Sequence, residues 1–161
     1  MREGADVTIR QASLSDLESL MRWRMEVLHH VFSIPERDSM PGLYAENEEY
    51  YRSALADGSH IACFAESNAG IVGCGGICFF REMPSPDNPS GQCAYLMNIY
   101  TSAASRGAGV GSKTVLWLIG KAKEKGITKI YLETSAGAKS LYEGLGFVPM
   151  ENYLMLGGSV Q

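Results

Sequence analysis

Between positions 106 and 113 the chain reads Arg-Gly-Ala-Gly-Val-Gly-Ser-Lys, with three glycines in five residues. An apolar strand pattern, Gln92 to Thr101, precedes this run, and a helical pattern, Val110 to Lys125, overlaps its end. A tight turn needs one glycine. Three allow backbone N–H groups to approach a ligand closely, at a place where a helix start adds its own unpaired donors and partial positive charge. The junction suits phosphate, and it obliges the fold to set a strand end against a helix start.

Spacing restricts which phosphate. A Walker loop counted from Gly107 puts its second glycine at Ser112, followed by Lys113-Thr114, one mismatch from the pattern. The dinucleotide fingerprint Gly-x-Gly-x-x-Gly fails at Ser112 or Thr114. The pattern Gln/Arg-x-x-Gly-x-Gly/Ala is met by Arg106, Gly109 and Gly111.

The remaining elements follow from periodicity and breakers. Val7 to Ala12 alternates as a short strand, and Ser13 with Asp16 opens a helix whose Leu17, Leu20, Met21, Leu28, Val31 and Phe32 share a stripe that also holds Arg24. Pro35, Pro41 and Gly42 make 33–43 a loop, and a second helix runs from Ala45 to Ala56, ending at Asp57-Gly58. Strands at His60–Glu66 and Ile71–Phe80 flank the turn Ser67-Asn68-Ala69-Gly70 and should pair antiparallel. A proline-rich connection spans 82–91; beyond the third helix come a strand at Lys129–Glu133, a short helix at Ala136–Leu145 and one or two last strands in Phe147–Leu156. The order β-α-α-β-β-β-α-β-α-β implies an α/β class with a mixed sheet and helices on both faces.

Composition narrows the partners. The chain has 161 residues, 45% apolar and 20% charged, which suits one domain (1–161, with an ordered core over about 7–156). Its 14 basic against 18 acidic residues give −4, which argues against a nucleic-acid binder that neutralises phosphates with surplus cations. Met1 to Val7 carries Glu3 and Asp6 and no apolar stretch, and no long apolar run could span a bilayer, so the expected partners exclude a membrane and the expected location is cytoplasmic. The four cysteines show no Cys-x-x-Cys spacing and read as buried free thiols, and His29-His30 has no third ligand in sequence, so no metal is expected.

The Arg106–Ser112 pattern resembles the coenzyme A loop of the GNAT superfamily of N-acetyltransferases. Tyr95 to Thr101 resembles that family's fourth strand, and Ala138 to Phe147 resembles its late Ala-x-x-Leu-Tyr-Glu-x-x-Gly-Phe segment. The resemblance implies a mixed, mostly antiparallel sheet of roughly six to seven strands with helices on both faces. It further implies acetyl-CoA as cosubstrate, with the backbone of Ile99, Tyr100 and Thr101 beside the pantetheine arm and the N–H groups of Arg106, Gly107, Ala108, Gly109, Val110, Gly111 and Ser112 on the pyrophosphate. The implied reaction is attack of a primary amine, small-molecule or peptide, on the thioester, with Tyr142 as general acid. The acceptor pocket in such folds draws on the first two helices, their loop and the connection before the fourth strand, here including Trp23, Arg24, Val27, His30, Phe32, Tyr44 and Tyr51. Of these, Arg24 and Trp23 are the candidate substrate contacts.

Two departures from the family pattern stand out. Asn98 occupies a place where some relatives carry a carboxylate, and Ser135 one where many carry Asn. Glu26 and Glu133 remain as candidate bases, and water-mediated deprotonation is the preferred reading. A non-catalytic CoA-binding or regulatory module on the same fold is the alternative, followed by a nucleotide-phosphate-binding protein. Substrate choice then falls to the first two helices and their loop, or to the second subunit of a homodimer.

Overall fold

The computed structural model describes residues 6–158. The beginning of the Met1–Val7 stretch and the end of the tail therefore lie outside the described residues. Within them the order is β1 (Thr8–Gln11), α1 (Leu17–Val31), α2 (Pro41–Asp57), β2 (His60–Ser67), β3 (Gly70–Arg81), β4 (Gln92–Thr101), α3 (Val110–Glu124), β5 (Lys129–Leu132) and α4 (Lys139–Gly144). The sheet order is β1-β2-β3-β4-β5, antiparallel except for the parallel β4–β5 pair that α3 connects.

Each face of the sheet carries its own layer. Leu20, Met21, Trp23 and Val27 of α1 and Tyr51 of α2 bury against Ala62, Phe64 and Cys74 on one face. Val115, Leu118 and Ala122 of α3, with Tyr142 of α4, cover Cys63, Ile77, Ala94 and Leu96 on the other. The α3 layer can approach closely because β3 carries Gly75. A Cβ there would sit 2.7 Å from Thr114 Cγ2 and 3.0 Å from Leu118 Cδ1, so any side chain would lift α3 and carry its N-terminus away from the end of β4.

One boundary, one apolar stripe and the strand count differ from the sequence reading. The second helix begins at Pro41 rather than Ala45, because a proline at the first helical position loses no hydrogen bond there and already has a helical φ. Val31 and Phe32 continue the apolar stripe of α1 in sequence but are 60% and 66% exposed at its end.

The sheet has five strands among the described residues, not six or seven. The expected closing strands in Phe147–Leu156 do not form. Pro149 offers no amide to a ladder, Asn152 turns the chain at φ +66°, and Leu154, Met155 and Leu156 are almost fully exposed. The outer edge of β5 is thus unpaired among the described residues.

Candidate active site

The expected cofactor elements converge where β4 leaves β5. Pairing between these strands covers only Cys93–Leu96 and Lys129–Leu132, so Met97 to Thr101 keep β3 on one side and have no strand on the other among the described residues. On the β3 side the register steps from Gly76↔Met97 to Cys74↔Tyr100. Asn98 and Ile99 therefore oppose Gly75 alone, a β-bulge, and Asn98 takes φ +58°. Asparagine is among the few residues that tolerate that region. Beyond the bulge Ile99 packs with the α3 layer and Tyr100 with the α1 layer.

Gly109, at φ +77°, is the N-cap of α3. The first intrahelical bond runs from Lys113 N–H to the Gly109 carbonyl at 3.1 Å. The amides of Val110, Gly111 and Ser112 therefore point out of the helix unpaired, and those of Gly107, Ala108 and Gly109 meet no acceptor among the described residues. Arg106 differs. Its amide is engaged by the Ala103 carbonyl at 3.4 Å, and its Nε donates to the Thr101 carbonyl at 3.2 Å, with the guanidinium 5.6 Å from the centre of the Tyr100 ring. Lys113 turns away, its ammonium 3.5 Å from the Val7 carbonyl. A Cβ on Gly111 would lie 3.5 Å from Leu141 Cδ2 and 3.9 Å from Thr101 Oγ1. The loop, the end of β4 and the start of α4 thus meet at one point.

Tyr142 follows Leu141 on α4. Its ring is 9% exposed and meets Phe147 edge-on at 5.8 Å. Burial raises its pKa, and its hydroxyl has no partner among the described residues yet is not sealed from solvent.

On the opposite face a polar cluster surrounds the bulge. Arg24 Nε donates to Asn47 Oδ1 at 2.8 Å, and its Nη1 to Asn98 Oδ1 at 3.0 Å. The His60 ring lies over β3, since a Cβ on Gly76 would be 2.6 Å from His60 Nε2 and 3.6 Å from the Met97 carbonyl. His60 Nδ1 and the Tyr50 hydroxyl are 2.9 Å apart. Burial, and secondarily the charge of Arg24, lower the His60 pKa to about 4, while burial pushes Tyr50 up to about 12.

The structure brings Arg24 to the bulge and places Trp23 in the core, edge-on to Tyr100 at 6.1 Å. Phe32 and Tyr44 are exposed. Glu26 is exposed, with Oε1 3.5 Å from the Tyr100 hydroxyl, and Glu133 is exposed beyond β5. Sequence reasoning missed Asn47, Tyr50 and His60. The available signal was Gly75-Gly76 in the middle of a strand, which marks close approach by another group. Among the described residues, no cluster of His, Cys, Asp or Glu could hold a metal, and no helix is long and apolar enough to cross a membrane.

The sheet parts after β4 pairs with β5, and the bare β4 edge runs toward a helix start with a row of free amides. The sequence model of the acetyltransferase (GNAT) family matches residues 17–147, and the chain belongs to that family, whose cosubstrate is acetyl-CoA. N-acetyltransferase 8B of Rattus norvegicus is 30% identical over 115 residues, covering 69% of this chain and 50% of that protein. The uncharacterized N-acetyltransferase YjgM of Escherichia coli (strain K12) is 35% identical over 104 residues, covering 63% of this chain and 59% of that protein. The matches thus span about half to three-fifths of these curated relatives. A predicted acetyltransferase from Clostridium acetobutylicum, solved with acetyl-CoA, superposes with a TM-score of 0.84 at 28% identity, covering 94% of this chain and 96% of that one.

Proposed function

We propose that this protein is an acetyl-CoA-dependent N-acetyltransferase acting on a primary amine of a small molecule or peptide. The observation that carries the reading is the convergence at Gly111 of the open β4 edge at Thr101, the free amides of 107–112 and Leu141, the α4 neighbour of Tyr142. The residues fit the cosubstrate. Six amides and a helix N-terminus suit a pyrophosphate, each such charge contact contributing up to about 2 kcal/mol, and the bare edge of Ile99 to Thr101 suits an amide-bearing arm. Acetyl-CoA supplies the activated thioester.

Arg106 acts in this reading through its guanidinium, since its amide is already engaged. Arg24 and Trp23 belong to the acceptor side, Trp23 as the buried backing of Tyr100. As the amine nitrogen bonds to the acyl carbon and the C–S bond breaks, Tyr142 delivers its proton to the leaving sulfur. The phenol, a weaker acid than a thiol of pKa near 8.5, acts by positioning: its proton passes to the sulfur as negative charge develops there, and the phenolate is reprotonated from water.

The amine must first lose a proton. At pH 7 only about one Lys-like amine in 2,500 is free, a cost near 4.6 kcal/mol. Neither exposed Glu26 nor exposed Glu133 is placed as a buried base, and His60, with a pKa of about 4, has little drive to accept a proton. Water leading out past the polar cluster serves as the proton path.

That lack of a base is also what favours the second reading, a CoA-binding module without turnover. One experiment separates the two: thiol release from acetyl-CoA across a panel of amines, polyamines, amino acids and peptides, beside thermal melts with acetyl-CoA or ATP. Turnover plus stabilisation by acetyl-CoA supports the enzyme. Stabilisation without turnover supports the module, and stabilisation by ATP alone overturns both.

A further inference from the structure

We infer that Arg24 is the anchor for a carboxylate on the acceptor, so that the preferred substrates are amines that also carry an acid group. This rests on the acetyltransferase reading and adds to it a substrate class.

The guanidinium is half-buried between α1, α2 and the β4 bulge, yet among the described residues no Asp or Glu pairs with it. Its two bonds go to neutral amide oxygens, Asn47 Oδ1 and Asn98 Oδ1. Both fix the fork without neutralising it. An arginine has five N–H groups, and these two bonds leave three. Nη2, which has no partner among the described residues, is not sealed from solvent.

A permanent cation, oriented by two neighbours, unneutralised and open on one edge, is built to take a bidentate anion. Its position names the ligand's role. Asn98 is the bulge residue beside the open β4 edge, so an acid group held on Arg24 lies on the acceptor side of the sheet, opposite the α3 layer that carries the phosphate-type loop. A surface arginine that only snorkels would have no reason to be clamped by two amides from two different elements.

The test reads binding as well as turnover. Acetylated products (N-acetylglycine, N-acetyl-β-alanine and N-acetyl-γ-aminobutyrate) are titrated calorimetrically into the CoA-saturated protein, each against its own primary amide. At least one acid is expected to bind about ten-fold or more tightly than its amide, the size of one charge-assisted pair. Arg24→Gln should erase that difference while leaving the affinity for acetyl-CoA and the melting temperature near wild type. If Arg24→Gln fails to fold, Arg24→Lys, which keeps the charge and loses the fork, should retain only part of the preference. Equal binding of acid and amide, no binding of any acid, or a preference that survives in Arg24→Gln overturns the inference. In each of those cases turnover of simple amines can still stand, and acid binding without any turnover removes the acetyltransferase reading alone.

Discussion

Arg24 Nη1 donates to Asn98 Oδ1 at 3.0 Å, which ties the middle of the first helix to the residue at which β4 bulges. Asn98 thereby has two separate functions in the fold. Its backbone occupies φ +58° at the bulge, and its side chain orients an arginine of α1.

Substitutions at position 98 should separate these functions. Asn98→Gly keeps the positive φ and loses the bond to Arg24, whereas Asn98→Val loses the bond and adds β-branched strain, worth about 1–3 kcal/mol. Urea unfolding should find Asn98→Val less stable than Asn98→Gly by that amount. Equal stabilities would show that the bulge relaxes without strain. Both variants should raise KM for the acceptor.

Gly109 offers the second test. It caps α3 at φ +77° with open space where a Cβ would stand, so Asn, which tolerates that conformation, should be accepted, and Glu should add strain and a negative charge beside the free amides. Gly109→Asn should still be stabilised thermally by acetyl-CoA, while Gly109→Glu should show no shift. A shift in Gly109→Glu equal to wild type would mean the loop is only a turn.

Tyr142→Phe should lower kcat roughly 100-fold, the ordinary range for a lost general acid, with the acetyl-CoA affinity unchanged. Because burial raises the Tyr142 pKa, the group stays protonated across the neutral range and contributes no pH dependence of its own there. Steady-state kinetics beside calorimetric titration decide the matter; a kcat equal to wild type would remove Tyr142 from the reaction.

The parts of this fold legible from sequence were those encoded locally. Alternation marked β1, apolar runs bounded by turn residues marked β2 to β4, and spacings of three and four marked α1 and α3. The glycine run 106–111 announced a strand-to-helix junction, and Arg24 stood out as a cation on an apolar stripe. What could not be read depends on partners distant in the chain. Phe147–Leu156 has a strand's composition, but strand formation needs an edge that accepts it, and Pro149 and the turn at Asn152 carry it off β5. Asn98 shows no sign of a bulge until Gly76 and Cys74 fix the register across from it. His60 looks like an ordinary first strand residue. Its environment comes from Gly76 across the ladder and Tyr50 on α2.

His60 gives the last prediction. Its folded pKa of about 4 lies below the ordinary 6.5, chiefly through burial, so between these values the unfolded chain binds a proton that the folded one refuses. Stability must therefore fall as pH drops through this window, and the loss levels off below pH 4, where both states are protonated. A shift of this size makes the contribution about 2 kcal/mol between pH 7 and pH 5. Urea unfolding at those two pH values should show that loss in the wild type and a smaller one in His60→Gln, which has no proton to gain. The same slope in both proteins would assign the acid sensitivity to other groups and show that His60 is free to protonate in the folded state.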